Sequence, residues 1–374
     1  MVTLPVFSSL PVEYLSASFD NVTNSYKFYW FLAILDHVRN KQTRIIPVRQ
    51  LTAHMVANVW YPTNYFRLSF GKQDRLGQIT MNIGAESSLP MDAERSQVIR
   101  SVLNHLKDST EISREIKSLQ EYVPFRFLRP FFASKLRGMK DTVINANIEK
   151  MAEELYNNPE SPCLYRFIST PDFSIEIHPA WFEYLKQHLS ILTGFCMWHL
   201  VGYLQKNNPN VPNIPNKLIE PSLRDLKRAR EFWGIAFGKL EQVRCVYSGL
   251  EVNKEQFSLD HFLPWRFVAH DLLWNIIPAP KNINSSKSDN LPDVEKYFDA
   301  FAKLQHQAVQ VVSASEKSNL LEDYVLLMKA SSVKELGSIT LPNFQNLLYD
   351  TVAPQIQIAA NMGFSAHWKY RNNI

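Results

Sequence analysis

The sequence predicts a mainly α-helical protein that carries one small α+β module. Three observations lead there. Most segments between breakers hold apolar residues at helical spacing over ten or more positions. Strand-like runs are few and short, one pair near 164–177 and one in the stretch 257–280. Of 374 residues, 45% are hydrophobic and 20% charged, which are the values of a globular chain long enough for two packed units.

The elements follow in order. Ser25 to Val38, containing Tyr-Lys-Phe-Tyr-Trp-Phe-Leu-Ala-Ile-Leu, is apolar on nearly every face and reads as a buried helix. Val48 to Trp60 is a second helix, which Tyr61-Pro62 is expected to end. Helices with polar outer faces are expected over Ala93–Leu106, Ile112–Tyr122 and Asp141–Tyr156. Leu164–Ile168 and Phe173–Ile177, split by Thr170-Pro-Asp, read as a hairpin. Pro179, at a first-turn position, opens a helix running to about Leu204. Asn207 to Pro215, with four Asn and three Pro, reads as a linker. A basic helix from about Pro221 to Phe237 leads into the module, from about Val243 to Leu291. Pro292 then starts a helix with Val294, Phe298, Phe301, Leu304 and Ala308 on one face, and helices near Leu320–Ala330 and Leu341–Met362 follow. The expected organisation is a helical platform over 1–207, a linker over 208–220, the basic helix and module over 221–292, and C-terminal helices over 293–374 packing on the module.

The chemistry concentrates in residues 257–291. Asp260 and His261 are adjacent, thirteen residues separate His261 from Asn275, and eight separate Asn275 from Asn284. The flanking words are Asp-His-Phe-Leu-Pro-Trp, then Asp271-Leu-Leu-Trp-Asn-Ile-Ile-Pro, then Asn-Ser-Ser-Lys. Taken singly, an Asp-His dipeptide is commonplace, Asn275 is a turn residue and Asn284-Ser-Ser is a helix cap. Together, in this order and with these flanks, they resemble the HNH endonuclease family. The resemblance implies a ββα-metal finger, a two-strand hairpin and a helix around one metal ion.

What the resemblance implies for each residue agrees with elementary chemistry. Phosphodiester hydrolysis needs an activated water, a cation on the developing charge and help for the leaving alkoxide. An imidazole takes a proton near neutral pH, and the family's general base falls on His261. Asp260 falls on a metal ligand, Asn275 on the residue that holds the loop of the base, and Asn284 on the helical position that completes the metal site. Adjacent residues of a strand face opposite ways, so Asp260 and His261 share one site only if the strand ends there, and Pro264 is consistent with such a break. A carboxylate, an amide oxygen and waters suit Mg²⁺ or Mn²⁺, and Asn rather than His at the third position favours Mg²⁺. Lys287, one turn beyond Asn284, is a candidate phosphate contact, or simply a solvated lysine. Many HNH modules bind a structural zinc through two Cys-x-x-Cys pairs. Here those positions hold Cys245, Ser248, Pro280 and Ile283, so no structural zinc is expected and Trp265, Trp274, Ile276, Ile277 and Pro278 are candidates to hold the finger by packing. His199 and His270 read as structural.

The net charge is only +4, so nucleic-acid binding has to rely on local patches. Arg224, Lys227 and Arg228 are expected on one face of the basic helix and are the stronger candidate anchor. The segment 124–140 interleaves Arg126, Arg129, Lys135, Arg137 and Lys140 with Phe125, Phe127, Phe131 and Phe132. It reads either as a phosphate and base surface or as a buried aromatic segment edged by snorkelling arginines. Three cysteines at no motif spacing, an N-terminus without signal-peptide character and the absence of a long apolar run predict a cytoplasmic protein without membrane contact. The resulting expectation is a Mg²⁺-dependent endonuclease acting on DNA, in restriction or phage defence, with a possible protein partner through the N-terminal domain. Two rivals are a nuclease subunit active only with a partner, and a DNA-binding protein that uses the finger as a scaffold.

Overall fold

Helical periodicity with short polar loops yields a chain that divides into two units in the computed structural model. Residues 3–7, 10–20, 22–158, 160–169, 171–220 and 224–371 are described. The first unit takes residues 1–209 and 217–220, the second 210–216 and 221–374. Helices of seven residues or more are numbered below.

In the first unit, α1 (Tyr26–Asn40) and α2 (Val48–Trp60) form the centre. Phe28, Tyr29, Trp30, Phe31, Ile34 and Leu35 of α1 are all buried, so nearly its whole surface is core, as its uniform apolarity requires. Around them lie α3 (Arg75–Glu86), α4 (Arg95–His105), α5 (Glu111–Leu128), α6 (Asp141–Tyr156), α7 (Pro179–Gln187) and α8 (Leu189–Asn207). The strand β1 (Ile45–Pro47) pairs with β3 (Ser174–Ile177), which also pairs with β2 (Tyr165–Ile168), giving the antiparallel order β1-β3-β2.

Several expected boundaries shift for local reasons. Tyr61-Pro62 does not end the helical path, because Tyr61–Tyr65 forms a wider turn closed by Phe66 N–H on Tyr61 O at 2.8 Å. The helix expected to stop at Tyr122 runs through Pro124 to Leu128. The single helix expected from Pro179 is two, divided at His188. Phe125, Phe127, Phe131 and Phe132 are buried, so the 124–140 segment is an aromatic core strip edged by arginines, not a base-stacking face. Thr170 and Pro221, at an expected turn and an expected helix start, lie outside the described residues.

The second unit contains α9 (Lys227–Lys239), β4 (Phe257–His261), β5 (Ile276–Pro280), α10 (Lys281–Lys287), α11 (Val294–Ser313) and α12 (Leu341–Asn361). β4 and β5 are antiparallel, with Phe257 opposite Pro280 and His261 opposite Ile276, and α10 follows directly. The expected two-strand-and-helix module is therefore present. Its core is apolar: Trp233, Phe262, Leu263, Trp274, Ile276, Ile277 and Ile283 are at most 4% exposed.

Helix α11, capped by Asp293 accepting from Lys296 N–H, lies against this core. Its Phe301 stacks on Phe262 with centroids 4.0 Å apart. Its buried Gln305 donates to the carbonyls of Leu273, Trp274 and Ile276 at 3.0–3.2 Å and accepts from Tyr324 Oη at 2.6 Å. Further along, residues 365–370 return to the module. Leu291 N–H donates to Ser365 O, Trp368 N–H to Leu291 O, and Asp293 N–H to Trp368 O. The Trp368 ring meets Tyr247 edge-on at 5.3 Å.

Candidate active site

The strand β4 ends at His261, and Pro264 opens the short helix Trp265–Val268 three residues later. Asp260 and His261 are both still paired in the ladder, Asp260 with Ile277 and His261 with Ile276. Asp260 turns inward and is 3% exposed. Its Oδ2 accepts from Tyr247 Oη at 2.5 Å and its Oδ1 from Lys287 Nζ at 3.2 Å. Burial, then the charge of Asp260 beside it, pushes the Tyr247 hydroxyl well above its usual range, so it stays a proton donor to that carboxylate.

His261 is 5% exposed, and its Nε2 lies 2.8 Å from Asp271 Oδ1. A carboxylate accepts only, so Nε2 carries a proton, which leaves Nδ1 as the nitrogen able to accept one when the ring is neutral. Among the described residues no protein group pairs with Nδ1. Asp271 was present in the quoted flank, ten residues after His261, but no periodicity in the sequence links the two. It is the site residue that sequence reasoning missed.

Asn275 is fully buried, and its side chain closes on one residue: Oδ1 accepts from Leu263 N–H at 2.8 Å and Nδ2 donates to Leu263 O at 2.9 Å. Its own carbonyl accepts from Phe262 N–H at 2.8 Å. The loop that leaves β4 directly after His261 is thus pinned at two consecutive residues. Asn284, on α10, donates through Nδ2 to Leu259 O at 3.3 Å, which leaves its Oδ1 without a partner among the described residues.

Lys287 differs from the expectation. It has no solvent exposure, and its ammonium also donates to His261 O at 2.6 Å. It ties the Asp260–His261 backbone to α10 from inside, so a surface contact to phosphate is not what this geometry offers. The basic cluster differs too. Helix α9 starts at Lys227, so Arg224 is not on a face shared with Lys227 and Arg228. Instead it lies over the Trp265 ring at 4.9 Å. Arg228 is committed to Asp323 Oδ1 and Leu320 O, both at 2.8 Å. Lys227 is exposed. The hydrogen bonds join Lys287 to Asp260 and His261, and fix Asn275 and Asn284 on the exit loop and the strand beside them, while Arg224, Lys227 and Arg228 differ in role.

Of the positions where related modules carry zinc ligands, Cys245 and Ile283 are 1% exposed and belong to the apolar core. The Cys245–Leu250 turn is closed by Cys245 N–H on Leu250 O and Gly249 N–H on Cys245 O, both at 2.8 Å. Among the described residues, no group of three or more His, Cys, Asp or Glu is arranged to hold a metal ion, and no helix is long and apolar enough to cross a membrane.

Residues 245–293 match the model of the HNH endonuclease family. No curated protein and no solved structure matches the chain.

Proposed function

Because residues 245–293 form an HNH endonuclease module, we propose that this chain is a divalent-metal-dependent endonuclease that hydrolyses DNA phosphodiester bonds. The observation that carries the proposal is the setting of His261: one ring nitrogen is held by Asp271, and the other has no partner among the described residues. Such an imidazole accepts a proton from water without first having to rotate or change tautomer. Asn275 supports the same role by fixing Leu263, two residues beyond the base.

The residues fit a hard cation. Each oxygen of Asp260 accepts one hydrogen bond and keeps a lone pair, and Asn284 Oδ1 adds a neutral oxygen. Oxygen donors few enough to leave room for waters suit Mg²⁺ or Mn²⁺. When bound there, the ion supplies charge stabilisation on the scissile phosphate. Lys287 contributes an ammonium beside the site. Its charge balances Asp260, and its bond to the His261 carbonyl keeps the two catalytic positions in register. Lys227, exposed on α9, is proposed as a phosphate anchor, and Arg224 at Trp265 as a second. A role in bacterial restriction or phage defence rests on the family resemblance alone.

The test is incubation of the full chain with supercoiled plasmid, with and without Mg²⁺, beside the variant His261→Ala. Nicked or linear products that need the metal and vanish in the variant are expected. Plasmid left intact at every Mg²⁺ and Mn²⁺ concentration would remove the proposal, and equal cutting by the variant would remove the assignment of the base. Plating of phage on cells carrying the chain or the variant tests the defence role separately.

A further inference from the structure

We propose that the first unit binds a phosphate-bearing ligand, of nucleoside-monophosphate size, in the cavity between the start of α1 and the Tyr122–Arg129 end of α5. This reading is independent of the nuclease module. The cavity has a volume of about 460 Å³ and is lined by Asn24, Tyr26, Lys27, Tyr122, Arg126 and Arg129 among others, none of them acidic. That volume lies within the range of small-molecule sites.

The charges on this wall are incompletely used by the fold. Arg126 donates from both Nη atoms to Asp141 at 2.7 Å, yet its Nε–H is buried without a partner. Lys27 and Arg129 form no ion pair among the described residues. The Lys27 ammonium is held below its usual range, first by burial and then by repulsion from Arg129, with only exposed Asp20 acting in the opposite sense. Folding gains nothing from bringing two cations without ion-pair partners to one concavity, beside an arginine already committed to Asp141. A phosphate group resolves both cations at once, since its oxygens accept from an ammonium and a guanidinium together. The rings of Tyr26 and half-exposed Tyr122 line the same cavity, and the Tyr26 hydroxyl is already taken by Arg75 N–H at 2.7 Å. They offer apolar faces for a base or sugar, not further acceptors. The phosphate source is a free mononucleotide or the 5′ end of a DNA strand.

The experiment is calorimetric titration of the full chain, at fixed ionic strength in metal-free buffer, with AMP, adenosine and inorganic phosphate. A short 5′-phosphorylated DNA oligonucleotide is titrated beside its 5′-hydroxyl twin. Each phosphorylated probe that binds is expected to bind at least tenfold tighter than its unphosphorylated counterpart. Lys27→Met, which keeps the aliphatic stem, and Arg129→Gln are each expected to weaken that binding at least tenfold. Binding of AMP without a preference for the 5′-phosphorylated strand assigns the site to mononucleotides, and the reverse assigns it to DNA ends. Adenosine and AMP binding equally, with no preference between the two oligonucleotides, would overturn the proposal on wild-type protein alone. So would unchanged phosphate binding in both variants.

Discussion

For His261 to serve as the proposed base its ring must keep one orientation, and among the described residues Asp271 is the side chain that hydrogen-bonds it. Replacing Asp271 with Ala frees the His261 ring to rotate and to exchange tautomers. A fall in kcat on the order of 10² is expected, inside the ~10²–10⁴ that a general base supplies. DNA affinity and unfolding midpoint should stay near wild type, since Asp271 is partly exposed. A normal kcat in Asp271→Ala would show that the ring is oriented by something else. Lys287 makes a different expectation. In Lys287→Met, Asp260 remains buried as a charge without its counter-ion and the His261 carbonyl loses its donor. Breaking one partner of such a pair costs about 3–5 kcal/mol. In urea unfolding, the double variant Asp260→Asn/Lys287→Met should lose clearly less than the sum of the two single losses, because the groups are coupled.

At the scale of elements, α9 serves stability through Arg228, beside the anchoring role proposed for Lys227. Arg228 joins Asp323, whose other oxygen accepts from Leu273 N–H at 2.9 Å, two residues before Asn275. Arg228→Met is therefore expected to lower stability by about 1 kcal/mol, a modest figure because the guanidinium is partly solvated, and to leave the salt dependence of DNA binding unchanged. Lys227→Ala should do the reverse, keeping the unfolding midpoint and reducing the salt slope by up to about 0.9. A matched pair of denaturation and salt titrations reads both. Legibility in the sequence follows the same division. The helices from Tyr26, Val48, Asp141, Val294 and Leu341 were legible because each buries a regular apolar face. The hairpin and α10 were legible because the Asp-His, Asn and Asn spacing carries them. β1 was not, because three residues at a sheet edge leave no alternation to read. Asp271 and the inward course of Lys287 were not, because both are set by contacts across 10 and 26–27 positions of sequence. Arg224 misled because helical spacing was assumed for a residue that precedes the helix.

For the whole molecule, Cys163, Cys196 and Cys245 are free and buried. Burial pushes the Cys163 thiol up to about 12, and that of Cys196 well above its normal range. Native protein at neutral pH is expected to react with almost no maleimide, and denatured protein at all three sites. Rapid labelling without denaturant would mean that the core of either unit opens readily. The return of residues 365–370 to the module has a consequence for biosynthesis. Asp260 depends on Tyr247, and Tyr247 is packed by Trp368, more than a hundred positions later in the chain. During translation the motif residues leave the ribosome well before the ring that closes over their neighbour. A nascent chain halted before Ser365 then presents Tyr247 without the Trp368 ring, so the proposed nuclease activity is expected only once synthesis has passed Trp368.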